Sequence, residues 1–239
     1  MKKISSFILT VVLLLSLVAC GTKPSASNTP VSENGSSQQE KPVSSENSDA
    51  TEAENINRSL VVYFSLPETD EPDNMTDEEE NSTVVIDGEV LGNTQYMAYI
   101  IQEQTGADIF RIEAEEPYPL DHDTLVDQAA EEQDQQVRPA IASQVDNMEN
   151  YDVIYLGYPN WWGDMPMILY TFLEEYDLSG KTIIPFNTHG GSGFSNTIDT
   201  IRELEPDAAV LEGLTISRNQ IQDAEQEIVA WVQEVQDQI

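Results

Sequence analysis

Four short apolar runs stand out along the chain: Leu60 to Phe64, Asp108 to Ile112, Val153 to Leu156 and Thr182 to Phe186. They are rich in β-branched and aromatic residues, and such nearly unbroken runs predict strands buried on both faces. Between them the apolar positions recur with a helical period. From Thr94, residues Met97, Ile100 and Ile101 form one face, and Gly106 supplies a stop. From Asp164, a candidate N-cap, Ile168, Leu169, Phe172, Leu173 and Tyr176 form another. At the C-terminal end Ile221, Ala224, Ile228, Trp231 or Val232, and Val235 make the stripe of a surface helix packed on a sheet. Strands alternating with helices predict an α/β domain, a parallel sheet covered on both sides. In open sheets of this class ligands lie beyond the carboxyl ends of the strands, so the segments that follow each strand are the places to look for chemistry.

The first residues follow another pattern. Lys2 and Lys3 precede an uncharged apolar stretch from Ile8 to Val18 that ends at Leu17-Val18-Ala19-Cys20, which reads as a signal peptide over residues 1–19. The stretch is shorter than the ~20 residues a spanning helix needs. Leu-Val-Ala-Cys resembles the bacterial lipobox, which implies a lipidated Cys20 and a membrane tether on the extracytoplasmic side. Residues 20–57 carry almost no large apolar side chain and read as a flexible stalk, leaving 58–239 as one domain.

Charge and cysteine content narrow the function classes. With 44 Asp and Glu against 10 Lys and Arg, the formal net charge is −34, which disfavours nucleic acid and anionic lipid headgroups as partners. Cys20 is the only cysteine, so redox chemistry would have to come from a bound cofactor.

Three segments after strands carry candidate chemistry. Ser65 follows the first strand, then an acidic excursion over 66–91 intervenes before Gly92-Asn93-Thr94-Gln95 opens a helix, where backbone N–H groups and a hydroxyl can hold a phosphate. Within the excursion, Val84-Val85-Ile86 and Glu89-Val90-Leu91 flank Asp87-Gly88, a hairpin signal. After the third strand comes Gly157-Tyr158-Pro159-Asn160-Trp161-Trp162-Gly163, whose adjacent indoles cannot both enter one core from a regular element. After the fourth comes Thr188-His189-Gly190-Gly191-Ser192-Gly193, where glycine lets the backbone approach a ligand.

These stretches, with Thr105-Gly106-Ala107-Asp108 and Glu116-Pro117-Tyr118-Pro119, resemble the flavodoxin-like family, in particular its short-chain branch of NAD(P)H-linked flavoproteins. The resemblance implies a five-stranded parallel sheet of order 2-1-3-4-5, with helices on both faces and FMN at the switch point. It implies that Ser65, Asn93, Thr94 and Gln95 hold the phosphate. Pro159, Asn160, Trp161, Trp162 and Gly163 would lie against the ring and ribityl chain, and Thr188, His189, Gly190, Gly191, Ser192 and Gly193 would form the other wall. The implied partners are the flavin and a redox partner or small-molecule acceptor. The acidic surface would disfavour a negatively charged reduced ring and push its potential down, with His189, if protonated, acting the other way.

Three other readings compete. A hydrolase would use Ser192 with His122 or His189, but Phe194 stands where a nucleophile elbow needs its last glycine. Calcium would use Asp70, Asp73, Asp77 and Glu78 to Glu80, whose spacing lacks the glycine of an EF-hand loop. A cofactor-free binding module at the cell surface would account for an interrupted phosphate loop.

Overall fold

The computed structural model describes residues 58–239. The segments read as a signal peptide, a lipidated Cys20 and a flexible stalk lie outside the described residues. Along the chain come β1 (Ser59–Tyr63), α1 (Asp77–Ser82), β2 (Thr83–Ile86), β3 (Glu89–Gly92), α2 (Asn93–Thr105) and β4 (Asp108–Arg111). Then follow α3 (His122–Gln135), β5 (Val153–Pro159), α4 (Met167–Glu175) and β6 (Thr182–His189). The chain ends through α5 (Thr197–Leu204), β7 (Ala209–Val210), β8 (Leu214–Ser217) and α6 (Glu225–Gln236).

The main sheet has six strands in the order β4-β1-β5-β6-β7, with β8 also paired to β6, and every pairing in it is parallel. The apolar runs alternate between two cores, as burial on both faces requires. Val61 and Tyr63 join Tyr155, Ile184 and Phe186 under α2 and α6, which contribute Met97, Ile101, Ile228 and Val232. Leu60, Val62 and Phe64 join Ile154, Leu156 and Tyr158 under α4 and α5, which contribute Ile168, Leu169, Phe172 and Ile201. Each fully buried aliphatic or aromatic side chain of this kind contributes ~1.5–3 kcal/mol.

The sheet has six strands where five were expected, because the edge beside β6 is broken in two. The Ile183 carbonyl accepts a hydrogen bond from the Leu211 N–H at 2.9 Å. Two residues on, Pro185 turns toward the same edge a ring nitrogen that carries no hydrogen, so the ladder cannot continue. The chain bulges there at Gly213 (φ +75°), where a Cβ would collide with the Pro185 carbonyl oxygen, and pairing resumes at Phe186 with Leu214.

The excursion over 66–91 is built. Thr76 caps α1 reciprocally with Glu79, the hydroxyl accepting from the Glu79 N–H at 3.2 Å and the Glu79 carboxylate accepting from the Thr76 N–H at 2.7 Å. The acids Asp77 to Glu80 occupy the first turn of α1, where the helix dipole favours them. Strands β2 and β3 form the expected hairpin, with Asp87 (φ 52°) and Gly88 (φ 85°) both left-handed at its turn.

Several helix expectations needed correction. Helix α4 starts at Met167 after Pro166 rather than at an Asp164 cap: the Asp164 carboxylate accepts from the Met165 N–H and the Tyr170 hydroxyl, and its backbone closes a turn with Trp161. Proline fixes the entry into α4 and has no N–H to leave unsatisfied. At the other end α6 begins at Glu225, so Ile221 belongs to a separate short turn and the buried stripe is Ile228, Val232 and Val235. Trp231 is only partly buried and meets Tyr155 edge-on.

Glu205, in the turn after α5, is only 9% exposed. Burial, and secondarily the charge of Asp177, pushes its carboxyl up to about 7. The folded state therefore keeps this proton between about 4.5 and about 7, where the unfolded chain has lost it. The stability this group contributes is complete below that window and is lost as pH rises through it. Glu205→Gln is expected to be progressively more stabilising, relative to the parent protein, as pH is raised across that window. Thermal midpoints measured for both proteins in one buffer series check this, and a constant difference would sink it.

Candidate functional site

Ser65 ends the β1 crossing and Gly92 precedes α2, and the two are in contact although the whole segment 66–91 lies between them. A Cβ on Gly92 would collide with the Ser65 Oγ in its present position and crowd the Ser65 Cβ and Pro67, so the approach is made at a residue without a side chain. The strand-to-helix turn is thus re-formed in space, with α1 and the hairpin looped outward. Ser65, Asn93 and Thr94 are all buried and border one cavity of about 260 Å³.

The other predicted segments reach the same cavity. Pro159, Asn160, Trp161 and Trp162 line it from the end of β5, and Thr188, His189 and Gly190 from the end of β6. Across it the Thr94 and Thr188 hydroxyls share a hydrogen bond of 2.9 Å. The Asn160 amide ties the two loops together, donating to the Gly193 carbonyl at 2.9 Å and to the Ser195 hydroxyl at 3.1 Å, and accepting from the Gly163 N–H at 3.1 Å. The two tryptophans part company. Trp161 packs edge-on against Phe64 and Tyr118, whereas Trp162 (φ 54°) is 59% exposed and donates its indole N–H to the Val126 carbonyl.

Five predicted residues do not border the cavity. Gln95 turns back to accept from the Gly92 N–H and donates to the Tyr99 hydroxyl, so it braces the start of α2. Gly163, Gly191, Ser192 and Gly193 shape the two loops from behind: the Gly191 N–H donates to His189 Nδ1 at 2.8 Å, and the Ser192 and Gly193 carbonyls accept from Ser195 and from Asn160 with Asn187. His189 therefore presents an acceptor at Nδ1, and burial pushes its pKa below the usual imidazole value, both of which favour the neutral ring.

The cavity is also lined by groups outside the three strand-end motifs: Leu66, Glu68, Asn81 and Ser82 from the excursion, His122 and Leu125 from α3, and Arg218 after β8. Asn81 accepts from the Asn93 side chain at 2.8 Å, leaving Asn93 Oδ1 buried without a hydrogen-bond partner. The Glu68 N–H donates to the Ser82 hydroxyl at 3.0 Å, and its carboxylate meets His122 Nδ1 at 2.8 Å. Burial raises the Glu68 pKa, and His122 partly offsets it. A signal existed for Arg218. Leu214-Thr215-Ile216-Ser217 is a strand-like run, and the residue after it sits at a carboxyl end of the sheet, the same rule that found the other loops.

The residues fit a flavin phosphate and ring. Buried hydroxyls and a helix N-terminus meet at one side of the cavity, a glycine keeps that corner free of a side chain, and indoles with a glycine-bearing loop form the walls. Among the described residues no helix is long and apolar enough to cross a membrane, and no group of three or more His, Cys, Asp or Glu is arranged to hold a metal ion.

Comparison with known proteins agrees with this geometry. The chain matches the flavodoxin family model over residues 84–235. It is similar to a candidate flavoprotein from Bacteroides eggerthii, at 29% identity over 74% of this chain and 96% of that one, with a TM-score of 0.55. A candidate flavoprotein from Bacteroides uniformis is 26% identical over 71% and 98%, with a TM-score of 0.54. A flavoprotein from Lactobacillus acidophilus, solved in complex with FMN, is 19% identical over 70% and 97%, with a TM-score of 0.50, and shows a common fold. No curated protein matched the chain. An α/β domain with a parallel sheet, a family match across most of that domain and a cavity at the strand ends lead to one conclusion: the chain belongs to the flavodoxin family.

Proposed function

We propose that the cavity binds FMN and that the protein is a lipid-tethered, extracytoplasmic flavoprotein that exchanges electrons with a partner or a small-molecule acceptor. The observation that carries the FMN reading is the contact between Ser65 and Gly92, which re-forms a phosphate corner with Asn93 and Thr94 despite the long excursion. Taking β7 and β8 as halves of one edge strand, the order β4-β1-β5-β6-β7 reads as 2-1-3-4-5, which puts the cavity beside the topological switch between β1 and β5. The Lactobacillus acidophilus relative, which is solved with FMN, supports the same choice of ligand.

In this reading the Thr94 and Thr188 hydroxyls, bonded to each other here, would hold the phosphate together with the N–H groups at the start of α2. Trp162, largely exposed, would form the outer wall and Trp161, held by Phe64 and Tyr118, the inner one. Bound flavin would supply hydride and single-electron chemistry. The protein's own groups orient it and keep water from one face. The membrane tether rests on Cys20 and its flanking sequence alone.

One observation favours the cofactor-free alternative. The nearly buried Glu68 carboxylate lines the same cavity as the phosphate corner, where it would oppose an anion unless His122 or a proton neutralises it.

Titrating the purified protein with FMN separates the two readings. The flavin visible band is expected to shift and the fluorescence to be quenched at saturation, and spectra equal to free FMN at high protein concentration would refute the flavin reading. Gly92→Ala, by driving a methyl into Ser65 Oγ, is expected to weaken FMN binding by at least about tenfold, roughly 1.4 kcal/mol. Riboflavin, which lacks the phosphate, should lose less. For the tether, cells fed an alkyne-tagged fatty acid should label the parent protein but not Cys20→Ser, and equal labelling would exclude lipidation at that residue.

A further inference from the structure

We propose that Arg218 is the cation that holds the negative charge a flavin ring acquires in this pocket on reduction, an inference that rests on the FMN reading above. Arg218 follows β8, and its N–H donates to the His189 carbonyl at 2.9 Å, which fixes its backbone beside the end of β6. Its guanidinium carbon lies 3.4 Å from where a Cβ on Gly190 would stand, so it lies over that glycine, and it borders the cavity.

The charge pairing of the other arginines makes this one distinctive. Arg58 pairs with Asp108 at 3.2 Å, Arg111 with Glu113 at 3.8 Å, Arg138 with Glu174 at 2.7 Å and Arg202 with Asp199 at 3.1 Å. Among the described residues the Arg218 guanidinium has no ion pair and no side-chain hydrogen bond, in a chain of formal net charge −34 where carboxylates abound. The other ionisable groups at the cavity are unsuited to the role. Glu68 and His122 are bonded to each other, and His189 is held neutral by its Gly191 contact and by burial. Arg218 is thus the fixed positive charge on the wall formed by His189 and Gly190.

Uptake of two electrons and one proton leaves a flavin ring with one net negative charge, so a cation at the ring wall binds the reduced form better than the oxidised one. Arg218 thereby opposes the acidic surface, which acts on the same ring with the opposite sign.

The test is the two-electron potential of FMN bound to the full-length protein in detergent, measured against an equilibrating dye with dithionite as reductant. Arg218→Gln is expected to lower the preference for reduced over oxidised FMN by about tenfold, a potential about 30 mV more negative. Arg218→Lys should keep most of the parent value, and the gap should narrow at high salt because Arg218 is exposed. An unchanged potential in Arg218→Gln, with FMN still bound, overturns the inference and leaves the FMN reading intact. So does an unchanged potential accompanied by weaker binding of NADPH, which would make Arg218 an anchor for an anionic donor. Failure of the parent protein to take up any flavin is a different outcome, seen before any potential is measured, and it removes the FMN reading and this inference together.

Discussion

The approach of Ser65 to Gly92 is the contact on which the rest of the site depends. It is a steric condition with no large energy of its own: with no Cβ on Gly92, the end of β1 and the start of α2 can touch, whereas a side chain there would have to displace the Ser65 hydroxyl. Because they touch, the long segment between them must leave and return at one place. It does so through a capped helix and a tight hairpin, which pair their own backbone groups. The cost of closing so long a loop rises only slowly with its length, so the excursion is tolerable as long as its two ends are pinned.

Pinning the ends also brings the excursion into the chemistry. Asn81, Ser82 and Glu68 return to the cavity wall, with Asn93 bonded to Asn81 and Glu68 bonded to His122 at the start of α3. The cavity consequently has acidic character on the side of the excursion and a guanidinium on the side of β8. The cavity thereby has a polarity that the loops after β5 and β6 do not supply, since the residues they place at it, Pro159 to Trp162 and Thr188 to Gly190, carry no fixed charge.

The same logic explains the two tryptophans. Adjacent residues on an irregular loop point in different directions, so one indole completes the aromatic cluster of Phe64 and Tyr118 while the other is left over the cavity with its N–H on the Val126 carbonyl. The left-handed backbone at Trp162, uncommon for a bulky residue, is held by the Trp161–Asp164 turn and by the Asn160 side chain. Strain at this position is consistent with a wall shaped for a ligand.

The sequence alone determined the central strands, the α2 and α4 stripes, the β2–β3 hairpin and three of the segments that meet at the cavity, because each is a local pattern with a fixed period or a fixed turn chemistry. It did not reveal α3, whose buried residues are only Leu125, Ala129 and Glu132, too few and too polar to give a periodic signal. Nor did it reveal α5, or the broken edge beside Pro185. Tertiary structure alone decided which side chains share the cavity. Glu68 and His122, and likewise Gly190 and Arg218, lie far apart in the chain, and nothing local relates a carboxylate on an excursion to an imidazole on a later helix. Pairings of that kind arise when packed layers fix distances between elements, and a single sequence carries no record of those distances.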